Sequence, residues 1–100
     1  MFKYTKTTLQ KIETIFKELE YTVRYERGNF QSGYCVVENK KIAVINKFFD
    51  TEARINSLIE IIATLEFNPE DFTEASQDFY HKMNKSLAAA NEENKETLES

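Results

Sequence analysis

"YTVRYERGNFQSGYCVVENKKIAVIN" runs from Tyr21 to Asn46, and its reading decides the fold. Tyr21, Val23 and Tyr25 alternate with Thr22, Arg24 and Glu26. That period of two is the mark of a strand with one apolar and one polar face. "YCVVE" (Tyr34 to Glu38) is a second β-rich run and "IAVIN" (Ile42 to Asn46) a third. "NKK" at Asn39 to Lys41 reads as a tight polar turn, so the second and third runs form a hairpin. The longer stretch from Arg27 to Gly33 reads as a loop that brings the first strand antiparallel beside the second. The expectation is a three-stranded antiparallel meander.

Outward from the strands the period changes to 3.6. On the N-terminal side, Leu9, Ile12, Phe16 and Leu19, widened by Ile15, form the apolar stripe of a helix over residues 8–20, with Thr7 or Thr8 as its cap. Lys11, Glu13, Lys17, Glu18 and Glu20 cover the other face. On the C-terminal side, "NKFFD" ends the sheet and Asp50 caps a helix over residues 51–65. Its apolar positions are Ile55, Leu58, Ile59, Ile62 and Leu65, with Ala53 and Ile61 beside them. "FNPED" is punctuation, with Asn68 as a cap and Pro69 in the first turn of a third helix. That helix carries Phe72, Ala75, Phe79, Met83, Leu87 and Ala90. The fold class is α+β, in the order helix, three-stranded antiparallel meander, helix, helix. Residues 1–90 form a single domain, and 91–100 an acidic tail or helix extension.

One hundred residues with 41% apolar and 30% charged side chains describe one ordinary globular domain. The longest apolar runs, such as Ile42 to Ile45, are far shorter than the roughly 20 residues a membrane helix needs. A single cysteine permits no internal disulfide and fits a reducing compartment. The expected location is cytoplasmic, with no membrane partner. Residues 1–50 hold nine Lys/Arg against six Asp/Glu, and residues 51–100 four against eleven, so the halves carry +3 and −7. The acidic total argues against nucleic acid as a partner. The asymmetry suits either head-to-tail self-association or a solvated acidic C-terminal face.

The stretch "RGNFQSGYC", Arg27 to Cys35, holds both glycines and the only cysteine of the chain. Its plain reading is a strand-to-strand corner. Gly28, Asn29 and Gly33 tolerate positive φ, Phe30 lies over the core edge, and Cys35 is an inert core thiol. Its functional reading is a binding surface for a protein or a small polar ligand. Arg27 meets an anion, Asn29, Gln31 and Ser32 supply hydrogen bonds, Phe30 is the apolar anchor, and Tyr34 stands beside them. The glycine spacing matches no phosphate-binding fingerprint. Phe48 and Phe49 are adjacent after a strand, so one enters the core and the other covers a helix end or faces a partner.

Catalysis would require Cys35 as nucleophile with His81, the only histidine, as base. Asp78 and His81 share a helix face, but no further histidine exists to complete a zinc site. No metal and no cofactor is expected. The favoured reading is a non-catalytic interaction or regulatory module using residues 27–34, with a small thiol enzyme as the alternative. The Phe79, Met83 and Leu87 stripe and the sheet edges leave room for a homodimer.

The strings "VRYE-GNF-SGYC", "NKFF" and "R-I-N-x-L" resemble a family of short uncharacterised proteins from Bacteroidetes, over about residues 9 to 67. The resemblance implies no established activity. The layout of helix, meander and helix is also similar to the small core of zinc-dependent peptidases. The helix "TEARINSLIEIIATL" lacks the H-E-x-x-H that such enzymes carry, so this likeness implies a metal-free scaffold that binds without cutting.

Overall fold

A computed structural model describes residues 2–27 and 33–99, with side chains described as far as residue 89. The elements are α1 (Lys6–Glu18), β1 (Thr22–Glu26), β2 (Tyr34–Val37), β3 (Ile42–Asn46), α2 (Thr51–Thr64) and α3 (Glu74–Glu99). Single 3-10 turns occupy Glu38–Lys40 and Pro69–Asp71. The chain divides into two compact units, Tyr4–Asn68 and Met1–Lys3 with Pro69–Ser100.

In the first unit, α1 begins earlier than its pattern suggests. Thr5, not Thr7 or Thr8, is the cap, and its Oγ1 accepts a hydrogen bond from the Thr8 N–H at 3.2 Å. All three threonines can cap a helix. The earliest one satisfies an additional turn while still burying Leu9, Ile12, Ile15 and Phe16. The helix ends in a Schellman arrangement. Glu20 takes φ 65°, its N–H donates to the Lys17 carbonyl, and the Tyr21 N–H donates to the Phe16 carbonyl. The accompanying apolar contact is the edge-on pairing of Phe16 and Tyr21, with ring centroids 6.2 Å apart.

The sheet is α+β as expected, but it is not a meander. Its strand order is β1-β3-β2, with β1 parallel to β3 and β2 antiparallel to it. The expected pairing of β1 with β2 is replaced by insertion of β3 between them. Three physical features account for this. The segment from residue 27 to 33 is longer than a tight hairpin turn, and it has the length to pass over the end of one intervening strand. The parallel pair needs a connection of about a dozen residues or more, and the loop, β2 and the following turn together provide it. The centre goes to the apolar "IAVIN" strand, while β1 keeps Thr22, Arg24 and Glu26 at an edge where charge is tolerated.

Register assigns the faces. Val23, Ala43 and Val36 form one row and Tyr25, Ile45 and Tyr34 the next, and Ala43 and Ile45 are fully buried. This face lies against α1 and α2. The Tyr25 hydroxyl donates to Glu13 of α1 at 2.6 Å, and the Glu60 carboxylate of α2 stands near the Tyr34 phenol. The opposite face carries the rows Thr22, Ile42, Val37 and Arg24, Val44, Cys35. Helix α2 is capped by Asp50, whose Oδ1 accepts from the Ala53 N–H at 2.9 Å. It buries Ile55, Leu58, Ile61 and Ile62. Ile59 is only half-buried, and Ser57 replaces it in the interior with its hydroxyl donated to the Ala53 carbonyl.

In the second unit, Pro69 does not begin the long helix. Pro69–Asp71 is a separate turn, and α3 starts at Glu74 after Thr73, which accepts from the Ser76 and Gln77 N–H groups. Gln77 ties the turn down by donating to the Glu70 and Phe72 carbonyls. Phe72 and Tyr80 meet edge-on at 5.9 Å. Ser76 and Met83 are buried whereas Ala75 is exposed, so the buried stripe is rotated by one position from the expected one at this end. The helix continues through the expected tail to Glu99.

One glycine is demanded by this topology. Gly33 enters β2 at φ +83°, and a Cβ there would overlap the Phe49 ring. Gly33→Ala is expected to lower unfolding free energy by about 2–4 kcal/mol, from left-handed strain and overpacking together. Urea denaturation measures it, and an unchanged midpoint would refute the packing described.

Candidate functional site

The C-terminal ends of the parallel strands β1 and β3 lie side by side and lead directly into Arg27 and Lys47. In sheets with parallel strands this end is the usual place for ligands. Backbone bonds lock it. The Lys47 N–H donates to the Glu26 carbonyl at 3.0 Å and the Asn46 N–H to the Gly33 carbonyl at 2.9 Å. Both edge strands are thereby fastened to the end of the central one.

The turn that follows is built by side chains. Asn46 Oδ1 accepts from the Phe48 N–H at 3.0 Å, an Asx turn that reverses the chain. Arg54, one turn into α2, donates from Nε to the Phe49 carbonyl at 3.0 Å and from Nη2 to the Lys47 carbonyl at 2.9 Å. Its guanidinium also stacks 4.3 Å from the centre of the Tyr25 ring, and Tyr25 is held by Glu13. A continuous chain from Glu13 through Tyr25 and Arg54 therefore fixes the backbone of residues 47–49.

The two phenylalanines divide as their adjacency requires. Phe49 turns in over Gly33 and is half-buried. Phe48 turns out and stays 66% exposed, high for so large an apolar side chain. The Arg27 guanidinium and the Lys47 ammonium stand 5.5 Å and 5.4 Å from its ring centre, within cation–π range. Neither cation meets a carboxylate among the described residues. By contrast Arg24 is spent on Glu26 at 2.6 Å. The result is an aromatic side chain flanked by two cations on a rigid turn, able to accept an anion and apolar surface together.

The residues singled out in the sequence distribute as follows. Arg27 belongs to this cluster. Tyr34 lies beside it in the sheet but points to the helix face, where partial burial and then the Glu60 carboxylate hold its phenol above the ordinary pKa. Asn29, Phe30, Gln31 and Ser32 fall outside the described residues. Cys35 is exposed on the open face of the sheet, which corrects its reading as a core thiol. The pleat explains this, because Cys35 pairs with Val44 on the side away from α1 and α2. His81 is exposed on α3 in the other unit, edge-on to Tyr80, so no imidazole stands in the unit that holds the thiol. Among the described residues no group of three or more His, Cys, Asp or Glu gathers in a metal-binding arrangement. None of their helices is long and apolar enough to cross a membrane.

Lys47 and Arg54 are the residues of this cluster not singled out as site residues in the sequence. Lys47 precedes the two phenylalanines, a juxtaposition visible in the sequence. Arg54 enters the sequence reading only as the first residue of "R-I-N-x-L", with no role indicated for it. No protein family, curated protein or solved structure matches the chain.

The chain that holds the turn has a pH signature. Burial first, and then the hydrogen bond to Glu13, push the Tyr25 phenol well above the ordinary tyrosine value of about 10. The unfolded chain therefore loses this proton before the folded protein does. The stability contributed by Tyr25 is complete below about pH 10 and is lost as pH rises beyond it. Phenolate absorbance in an alkaline titration is expected to show a late-ionising tyrosine that vanishes in Tyr25→Phe. A titration curve identical in the two proteins would refute the assignment.

Proposed function

We propose that this protein is a non-catalytic interaction module whose docking surface is Arg27, Lys47 and Phe48. The observation that carries the reading is a pair of cations, without acidic partners among the described residues, on either side of an exposed phenylalanine. Exposed aromatic and arginine side chains are the groups most often found as anchors of protein interfaces. The ligand is an acidic, partly apolar segment of another protein surface. Its carboxylates meet the cations and its apolar side chain covers Phe48.

Three further points support it. Described residues of the strings behind the resemblance to the Bacteroidetes proteins lie at one end of the sheet. Gly33 and Cys35 close the first string, "NKFF" supplies the cation and both rings, and Arg54 of the third holds the turn. The exposed thiol of Cys35 suits a reducing location, which we take to be the cytoplasm. The rigidity of the turn suits recognition, because an anchor held in place before binding loses less entropy on contact.

Fluorescence polarisation with a labelled peptide of alternating glutamate and leucine tests the reading. Wild type is expected to bind it, and binding weakens as salt rises. Arg27→Ala/Lys47→Ala/Phe48→Ala is expected to lower affinity at least tenfold while its thermal melt stays close to wild type, since these side chains are exposed. Equal binding by both proteins, or none by wild type, would refute it.

A further inference from the structure

The opposite end of the same sheet holds a complementary feature. A recess of about 530 Å³ opens there, lined by Leu19, Tyr21, Glu38, Lys41, Thr64, Leu65 and Glu66. That volume is within the range of natural binding pockets. It forms where the C-terminal ends of α1 and α2 meet the turn between β2 and β3. Helix C-termini carry partial negative charge, which adds to the two glutamates. Lys41 is drawn aside by Glu20, its Nζ lying 3.4 Å from that carboxylate. Glu38 and Glu66 pair with no cation among the described residues. Leu19, Leu65 and Tyr21 are half-buried and provide apolar walls.

The two ends are therefore complementary in charge, and each presents apolar side chains. One presents Phe48 between Arg27 and Lys47, and the other a recess with Leu and Tyr walls between Glu38 and Glu66. We propose that a second copy of this chain is an occupant of this recess, its Phe48 seated there with Arg27 and Lys47 against Glu66 and Glu38. The inference rests on the reading of the Arg27, Lys47 and Phe48 surface as a docking face and names one partner for it. Both features belong to the unit Tyr4–Asn68, separated by the length of the strands. A contact between different ends of identical molecules is heterologous, so it propagates into chains or rings. A single aromatic anchor and two ion pairs make a small interface, so association is weak and reversible. It also weakens as salt screens the charges.

Sedimentation velocity on full-length chains tests this. Wild type is expected to show a weight-average mass that rises above 11.7 kDa with concentration and falls back in high salt. Glu38→Lys/Glu66→Lys blocks the recess, and Arg27→Glu/Lys47→Glu/Phe48→Ala blocks the knob. Each variant alone is expected to be monomeric. The first variant keeps its knob and the second its recess, so they can pair through the one contact left intact. Their mixture is expected to give a capped 1:1 dimer. Should a variant fail its thermal melt, Glu38→Gln/Glu66→Gln or Phe48→Ala alone takes its place. A wild type that stays monomeric at every concentration, or association that survives either block, would overturn the inference. A mixture that does not pair would do the same. Peptide binding read in the same samples separates the two ideas. A monomer that still binds the acidic peptide sinks only the self-contact.

Discussion

The structure depends on where the inner face of β3 is buried. Ala43 and Ile45 are fully enclosed, and they can be so only if strands flank β3 on both sides and helices cover it from one. That requirement places β1 and β2 at the edges and draws α1 and α2 onto a common face. The small side chain of Ala43 and the branched side chain of Ile45 leave Tyr25 and Tyr34 as flanking rings in the outer row. Tyr25 then reaches Glu13 on α1, and Tyr34 faces the Glu60 side of α2. Apolar burial sets the layers, and the Tyr25–Glu13 bond fastens α1 over them.

The same arrangement makes the two ends of the sheet unlike. Parallel pairing of β1 with β3 brings their C-terminal ends together, so Arg27 and Lys47 emerge on one side. The hairpin turn and both helix ends collect at the other, where Glu38 and Glu66 lie. An antiparallel meander would have sent β1 and β3 in the same direction but kept them one strand apart. Insertion of β3 between the edges brings the two cations to one phenylalanine.

Much of this was legible in the chain. The stripe from Leu9 to Phe16, the cap at Asp50 and the alternation in "YTVRYE" each follow from local periodicity, and the elements formed where the pattern placed them within a few residues. Arg27 was recognisable because a cation beside glycines at a strand end has few structural duties. The adjacency of Phe48 and Phe49 required one ring inside and one outside. Other features were not legible. Cys35 was expected inside because thiols usually are, yet a four-residue strand with apolar residues at every position has no alternation to reveal its inner face. Arg54 looked like any helical arginine, since its partners are two carbonyls and a ring distant in sequence or hidden in a turn.

What the sequence determined by itself was the kind and order of local elements, because hydrophobic period, caps and turn residues act between neighbours along the chain. Which strand lies in the middle, which face is buried and which cations meet which ring were decided only by the tertiary structure. Those choices depend on contacts between residues 20 or more positions apart, such as Val23 with Ala43 and Arg54 with Tyr25. Such contacts are selected by the total surface buried, a quantity that no single segment contains.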